Sequence, residues 1–230
     1  MKNYEGNKEV IFLSPRTKEY FSRPDVFGCI FGPDRVTGGQ WKAATKARYI
    51  LENRKFYGKW SMGKWVKMLM QFVPYQKNCI CALVPDEPFN RWGTMENWHK
   101  FKYFPRALGY KLGFVTQTEM EVSDVPWQDI GCLFIGGNDN HKRGYDGWKL
   151  ASVAAELGIW VHIGRGNTGR AIEQFWPYAN SVDGTSVLFN SERANEIAAT
   201  VTKINEDGFA FQPRLFSLPD EKFTTLYTHK

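Results

Sequence analysis

Apolar residues recur along the chain in short continuous runs: Val10–Leu13, Phe27–Phe31, Tyr49–Leu51, Cys79–Val84, Leu112–Thr116, Cys132–Ile135, Ile159–Ile163 and Ser181–Val182. Runs of this length without polar alternation read as strands buried on both faces, the habit of parallel sheets covered by crossover helices. Helical periods fall between them. Met62, Trp65, Val66, Leu69 and Met70 repeat at three- and four-residue spacing, as do Trp148, Leu150, Val153, Ala154 and Leu157, and each set marks a helix with one buried stripe. Ser191 to Ile204 reads as a further helix, with Ser191 as its N-cap and Glu192 in the first turn. Eight strands alternating with helices predict an α/β fold: a single compact (β/α)8 TIM-like barrel over residues 1–230, closed by right-handed crossovers. An open, doubly wound sheet fits the same alternation. The first two strands are weakly signalled, which leaves the start of the barrel open to distortion. Residues 206–230, with two Pro and no period, are expected to form an extended C-terminal arm.

Composition narrows the class. A hydrophobic fraction of 43% and an aromatic fraction of 16%, with nine Trp, exclude a disordered chain, and 230 residues suffice for one sizeable core. The net charge of +6 and a pI near 9.1 give a mild bias toward polyanions. Clusters such as Lys42, Lys46 and Arg48, or Arg54, Lys55 and Lys59, read equally as phosphate contacts and as solvated faces. The four Cys lack Cys-x-x-Cys spacing and mostly sit in apolar runs, which makes them reduced, structural thiols. No His pair has metal-ligand spacing, so neither a metal nor a cofactor is expected. The polar start MKNYEGNKE is no signal peptide, and no apolar run approaches the roughly 18 residues a membrane span needs. A soluble, cytoplasmic chain without a membrane partner is the expectation.

Barrel chemistry collects at the C-terminal ends of the strands, so the residues that follow each run carry the most information. The third run leads into Glu52-Asn53, the fourth into Pro85-Asp86, the fifth into Gln117, and the sixth into Gly136-Gly137-Asn138. The seventh contains His162 and leads into Gly164-Arg165-Gly166-Asn167, and the eighth ends at Asp183-Gly184-Thr185. An isolated Asp86 or Asp183 reads as a turn former. As a series, the strand ends bring carboxylates, an amide and a glycine pair to one mouth. The run Gly164 to Arg170 opens a helix after a strand, and Arg165, Asn167 and Arg170 suit a phosphate. Its spacing Gly164-x-Gly166-x-x-Gly169 matches a dinucleotide fingerprint, although it falls late in the chain with no second half after it. Of the four His, only His162 lies within a strand beside the mouth, placed to orient a neighbour; His99 falls in a helix, and His141 and His229 lie elsewhere.

Several of these segments together resemble the tRNA-guanine transglycosylases, and more closely the small phage and bacterial deazapurine DNA-modification protein A group. They are Ser14-Pro15-Arg16-Thr17, Val84-Pro85-Asp86, Phe114-Val115-Thr116-Gln117, Cys132 to Gly137, Val161 to Asn167 and Ser181 to Thr185. The resemblance implies a pentosyltransferase that exchanges guanine for a 7-deazaguanine, such as 7-cyano-7-deazaguanine, in DNA through a covalent Asp-linked intermediate. It implies Asp183 as nucleophile, Glu52 as general acid/base, and Asp86, Gln117, Gly136, Gly137 and Asn138 as base-binding residues, with Arg165, Asn167 and Arg170 on nucleic-acid phosphates. Its implied partners are DNA, single-stranded or with a flipped base, and the free deazaguanine, in a host cytoplasm if the gene is a phage's, with a protein partner or a homodimer also open. The zinc-binding insertion of the tRNA enzymes is absent, which disfavours tRNA. The turn reads Glu52-Asn53-Arg54, where relatives carry an Asp and a Gly, so the carboxylate is one methylene longer and an Arg replaces the glycine. Two other readings stand beside this one: a barrel enzyme acting on a small phosphorylated metabolite, and a non-catalytic subunit that binds deazaguanine or nucleic acid.

Overall fold

The structure, a computed structural model, describes residues 9–14, 22–34, 38–176 and 178–208, with the backbone alone described at 38–40. Eight strands form a closed barrel in chain order: β1 (Ile11–Ser14), β2 (Phe27–Phe31), β3 (Tyr49–Leu51), β4 (Cys79–Leu83), β5 (Leu112–Val115), β6 (Cys132–Ile135), β7 (Trp160–Ile163) and β8 (Ser181–Asp183). Every pairing is parallel, and β1 pairs with β8, which excludes the open sheet. Around the strands run α1 (Gly38–Ala44), α2 (Met62–Phe72), α3 (Arg91–Phe101), α4 (Tyr103–Ala107), α5 (Asp139–Arg143), α6 (Tyr145–Glu156), α7 (Gly169–Gln174) and α8 (Ser191–Asp207). The weakly signalled β1 and β2 pair regularly; the irregularity lies between β3 and β4, where the register slips between Tyr49 and Ile50. Among the described residues no helix is long and apolar enough to cross a membrane.

Side chains that alternate along each strand divide the core in two. Phe12, Tyr49, Leu51, Phe114, Leu133 and Val161 point outward and pack under the helices, with Trp65 and Trp98 filling the space on the α2 and α3 side. Ile11, Leu13, Ile30, Ile50, Cys81, Leu83 and Cys132 fill the barrel interior. Gly113 lies among the interior side chains because a Cβ there would stand 2.5 Å from Leu83 and 2.8 Å from the Cys81 Sγ. Toward the C-terminal mouth the interior turns polar. There the same alternation brings Trp160 and His162 of β7 beside Ser181 and Asp183 of β8, with His162 the register partner of Ser181.

The expected N-cap of α8 moves by one residue, since Asn190 precedes the helix and its Oδ1 accepts the Arg193 N–H at 3.0 Å. Behind that cap Ala194, Ile197, Val201 and Ile204 form the buried stripe, and α8 continues through residue 206 to Asp207. Asn205 ties it to the start of the barrel, donating to the Val10 carbonyl at 3.0 Å and accepting the Val10 N–H at 2.7 Å. The rest of the expected arm, from residue 209 on, and Pro15–Thr17 of the quoted motif lie outside the described residues. Asn190→Ala leaves an N–H of the first turn uncapped and is expected to lower stability by about 1 kcal/mol, or roughly 2–4 °C in Tm. Thermal denaturation checks this, and an unchanged Tm would mean that solvent replaces the cap.

Candidate active site

The loops after β3, β4, β5, β6 and β7, with Ile30 of β2 and Asp183 of β8, surround one cavity at the C-terminal mouth, about 720 Å³ of empty space counting its open side. Glu52, Asp86, Gln117, Gly136, Gly137, Arg165 and Asp183 all reach its wall. Asn138, Asn167 and Arg170 do not. Asn138 caps α5 by accepting the His141 N–H at 2.8 Å, and Arg170 is exposed on α7.

Asp86 is the deepest-set carboxylate. Its Oδ1 accepts from the Asn53 side-chain amide at 3.0 Å and its Oδ2 from that of Gln117 at 2.9 Å. Neither amide is free to turn over, because the Asn53 Oδ1 accepts the Lys55 N–H at 2.9 Å and the Gln117 Oε1 accepts the Phe89 N–H at 2.8 Å. Burial pushes the Asp86 carboxyl above the ordinary value, against the opposing hydrogen bonds from Asn53, the backbone and Gln117.

The substituted turn after β3 has a structural answer. Arg54 adopts φ 68°, the left-handed conformation that glycine would take at no cost, and its side chain folds back into the wall. There its Nε lies 3.0 Å from Asp34 and 3.2 Å from Glu52, with the guanidinium 4.8 Å from the Tyr57 ring. Gly32 makes the room, since a Cβ at that position would stand 2.4 Å from the Arg54 Nε. Glu52 thus enters the site already paired with a buried cation. Among the described residues the other positive-φ positions that are not glycine, Phe89, Glu119 and Arg165, follow β4, β5 and β7, so their strained backbone is concentrated on the loops at the mouth.

Asp183 stands at the end of β8. Its Oδ1 accepts the Arg165 backbone N–H at 2.6 Å and lies 3.4 Å from the His162 Nε2. Several amides on the loops after β7 and β8 are already engaged. Besides the Arg165 N–H, the Gly169 N–H donates to the Glu196 carboxylate at 3.1 Å, and the Thr185 and Ser186 N–H groups donate to Asn167 Oδ1 at 2.9 and 3.2 Å. The glycines of the fingerprint-like spacing serve packing: a Cβ on Gly166 would stand 2.2 Å from Val182 and one on Gly169 2.5 Å from Thr200. The Gly136 amide is likewise engaged, donating to Thr116 Oγ1 at 3.1 Å.

Two features were not read from the sequence. Lys142, only 2% exposed, lines the cavity, its Nζ donating to the Gly164 carbonyl at 3.1 Å and lying 3.0 Å from Asp139. Burial lowers its ammonium from the usual lysine value, Asp139 partly restores it and Arg165 depresses it further. Nothing local distinguishes His141-Lys142-Arg143 from a solvated basic turn, so no sequence signal marks it. The second is a cover of exposed rings. Phe56 lies 5.4 Å from Tyr57 and 6.0 Å from Phe89, with the Arg165 guanidinium 5.0 Å from the Phe56 ring. Among the described residues no group of three or more His, Cys, Asp or Glu is placed to hold a metal ion.

No family model matches the chain, and no curated protein matches it. Solved structures do. A mutant tryptophan synthase alpha-subunit from Pyrococcus furiosus is 12% identical with a TM-score of 0.53, the match covering 90% of this chain and 99% of that one. A 3-keto-L-gulonate-6-phosphate decarboxylase from Vibrio cholerae is 10% identical with a TM-score of 0.55, covering 87% and 98%. A fructose-1,6-biphosphate aldolase assigned in Coccidioides immitis is 8% identical with a TM-score of 0.53, covering 88% and 89%. The chain is a TIM barrel.

These likenesses overturn the resemblance to the tRNA-guanine transglycosylases, because the similar structures are metabolic-enzyme barrels and no family model supports the quoted motifs. With it fall the guanine-exchanging pentosyltransferase, the 7-deazaguanine substrate, DNA modification and a phage origin. The physical reason is that Asp, Asn and Gly follow buried strands in any parallel barrel, where they form turns and caps. Short segments of that composition mark the fold before they mark a family.

Proposed function

We propose that this barrel is an enzyme acting on a small phosphorylated metabolite by general acid–base chemistry. The observation that carries the reading is the cavity wall, where the carboxylates Glu52, Asp86 and Asp183 meet the cations Arg54, Lys142 and Arg165 under an aromatic cover. Arg54 already pairs with Glu52 and Lys142 with Asp139, so Arg165 is the cation of the wall left for a substrate anion. The Arg165 fork suits a phosphate, and it is pre-placed by its bond to the Gly137 carbonyl at 3.1 Å and by the Phe56 ring. Asp86, with its carboxyl raised by burial, holds or donates a proton at the polar end of the substrate. Asp183 accepts a proton through Oδ2, the oxygen left open while Oδ1 takes the Arg165 N–H. The Phe56, Tyr57 and Phe89 rings shed water from the bound substrate, which strengthens each of these interactions.

A panel of sugar phosphates and other phosphate esters, each beside its dephosphorylated form, tests this by thermal shift. A cognate ester at about 100 times its Kd is expected to raise Tm by roughly 5–10 °C. The dephosphorylated form and the Arg165→Ala protein should show little of that rise. Stabilisation by no ester, or only by polymeric nucleic acid, would remove the proposal.

A further inference from the structure

We infer that His162 is a positioning residue for Asp183, the last link of a hydrogen-bonded chain that runs Trp160, Ser181, His162 through the interior of the barrel and ends against the Asp183 carboxylate. The assignment rests on reading Asp183 as the working carboxylate of the mouth. The indole Nε1–H of Trp160 donates to Ser181 Oγ at 2.8 Å, and the same Oγ lies 2.8 Å from His162 Nδ1. Ser181 and His162 are both 0% exposed, so water does not stand in for a missing partner. On its other side the ring presents Nε2 to Asp183 Oδ1 at 3.4 Å, a close charge contact short of a hydrogen bond, and Nε2 has no hydrogen-bond partner among the described residues.

Donor and acceptor chemistry then fixes the tautomer. An indole N–H only donates, so Ser181 Oγ is an acceptor toward Trp160 and its own hydrogen must go elsewhere. Among the described residues His162 Nδ1 is the acceptor within reach. A proton on Nδ1 would leave the serine hydrogen without a partner and would turn a bare Nε2 lone pair toward a carboxylate oxygen. With the proton on Nε2 the serine hydrogen meets Nδ1, and the imidazole N–H faces Asp183 across the 3.4 Å contact. Phe134 packs against the imidazole, its ring centroid 4.4 Å from that of His162 and the planes tilted by 44°.

The consequence is a division of labour within one carboxylate. Oδ1 is approached from two sides, by the Arg165 backbone N–H and by His162, while Oδ2 carries neither contact and Asp183 lines the cavity. The 3.4 Å contact is long for a hydrogen bond, as such contacts often are before substrate closes the site. The chain was half written in the sequence: period two along β7 and β8 puts Trp160, His162, Ser181 and Asp183 on one face, and the register sets His162 against Ser181.

Protein labelled with 15N-histidine and read by multiple-bond 1H–15N correlation near neutral pH tests the chain without any ligand. The wild type is expected to show His162 with its proton on Nε2 and a bare Nδ1. Ser181→Ala is expected to convert it to a mixture of the two tautomers. A proton on Nδ1 in the wild type, or an unchanged tautomer in Ser181→Ala, overturns the inference, and the wild-type spectrum suffices if the variant folds poorly. On a turned-over phosphate ester, Ser181→Ala should lower kcat about tenfold with KM little changed; an equal change in both would mark a merely structural role. Failure of the tautomer test removes the chain and leaves the reading of the mouth standing. Failure of the ester panel removes that reading and leaves the tautomer result intact.

Discussion

Asp86→Ala is expected to lower the stability of the barrel by about 3 kcal/mol, seen as a fall of roughly 6–12 °C in Tm. The carboxylate is the partner of two buried amide donors, those of Asn53 and Gln117. Each donor left unpaired costs about 1–3 kcal/mol, and neither can rotate away while its carbonyl oxygen holds the Lys55 or Phe89 backbone N–H. Part of this cost is returned because a buried carboxylate no longer has to be desolvated. The pH dependence has a definite sign. Burial raises the folded carboxyl above its ordinary value of 3.8, so the folded protein binds this proton more tightly than the unfolded chain. The stabilisation is full below that ordinary value and is lost as pH rises through the folded midpoint. The stability gap between wild type and Asp86→Ala is therefore expected to narrow as pH leaves the acid range. Denaturant melts at a series of pH values measure it; a gap that widens with pH, or a Tm within about 2 °C of wild type, would mean that water takes over the cradle.

Asp183→Asn is expected to lower kcat/KM for the cognate phosphate ester by about 10³-fold while leaving the fold in place. The substitution keeps the oxygen that accepts the Arg165 N–H and faces His162, so the loop after β7 retains its anchor. What it removes is the basic Oδ2. Stability within about 1 kcal/mol of wild type and unchanged stabilisation by the ester would separate lost chemistry from lost binding. Turnover at the wild-type rate would exclude Asp183 as the base and leave Glu52, tied to Arg54, as the remaining carboxylate of the wall besides Asp86.

The sequence by itself determined the strands and the end of them that matters. Strands buried on both faces must be continuous and apolar, and their parallel pairing needs helical crossovers, so strand number was legible from Val10 to Val182, whereas closure into a barrel in place of an open sheet was decided by the pairing of β1 with β8. Period two placed His162 and Asp183 on the inner face, and the fold rule sent Glu52, Asp86 and Gln117 to one mouth. Which hydrogen bonds those residues make was decided only by the tertiary structure, because it depends on distances between loops far apart in the chain. Asn167 looked like a phosphate ligand and holds the amides of Thr185 and Ser186; Gly136 looked like a donor to ligand and is bonded to Thr116. Arg54 read only as a replaced glycine in a turn and is fitted against Gly32 to pair with Glu52. Lys142 carried no local mark, since nothing in a short basic turn records that folding will bury its amine beside the Gly164 carbonyl.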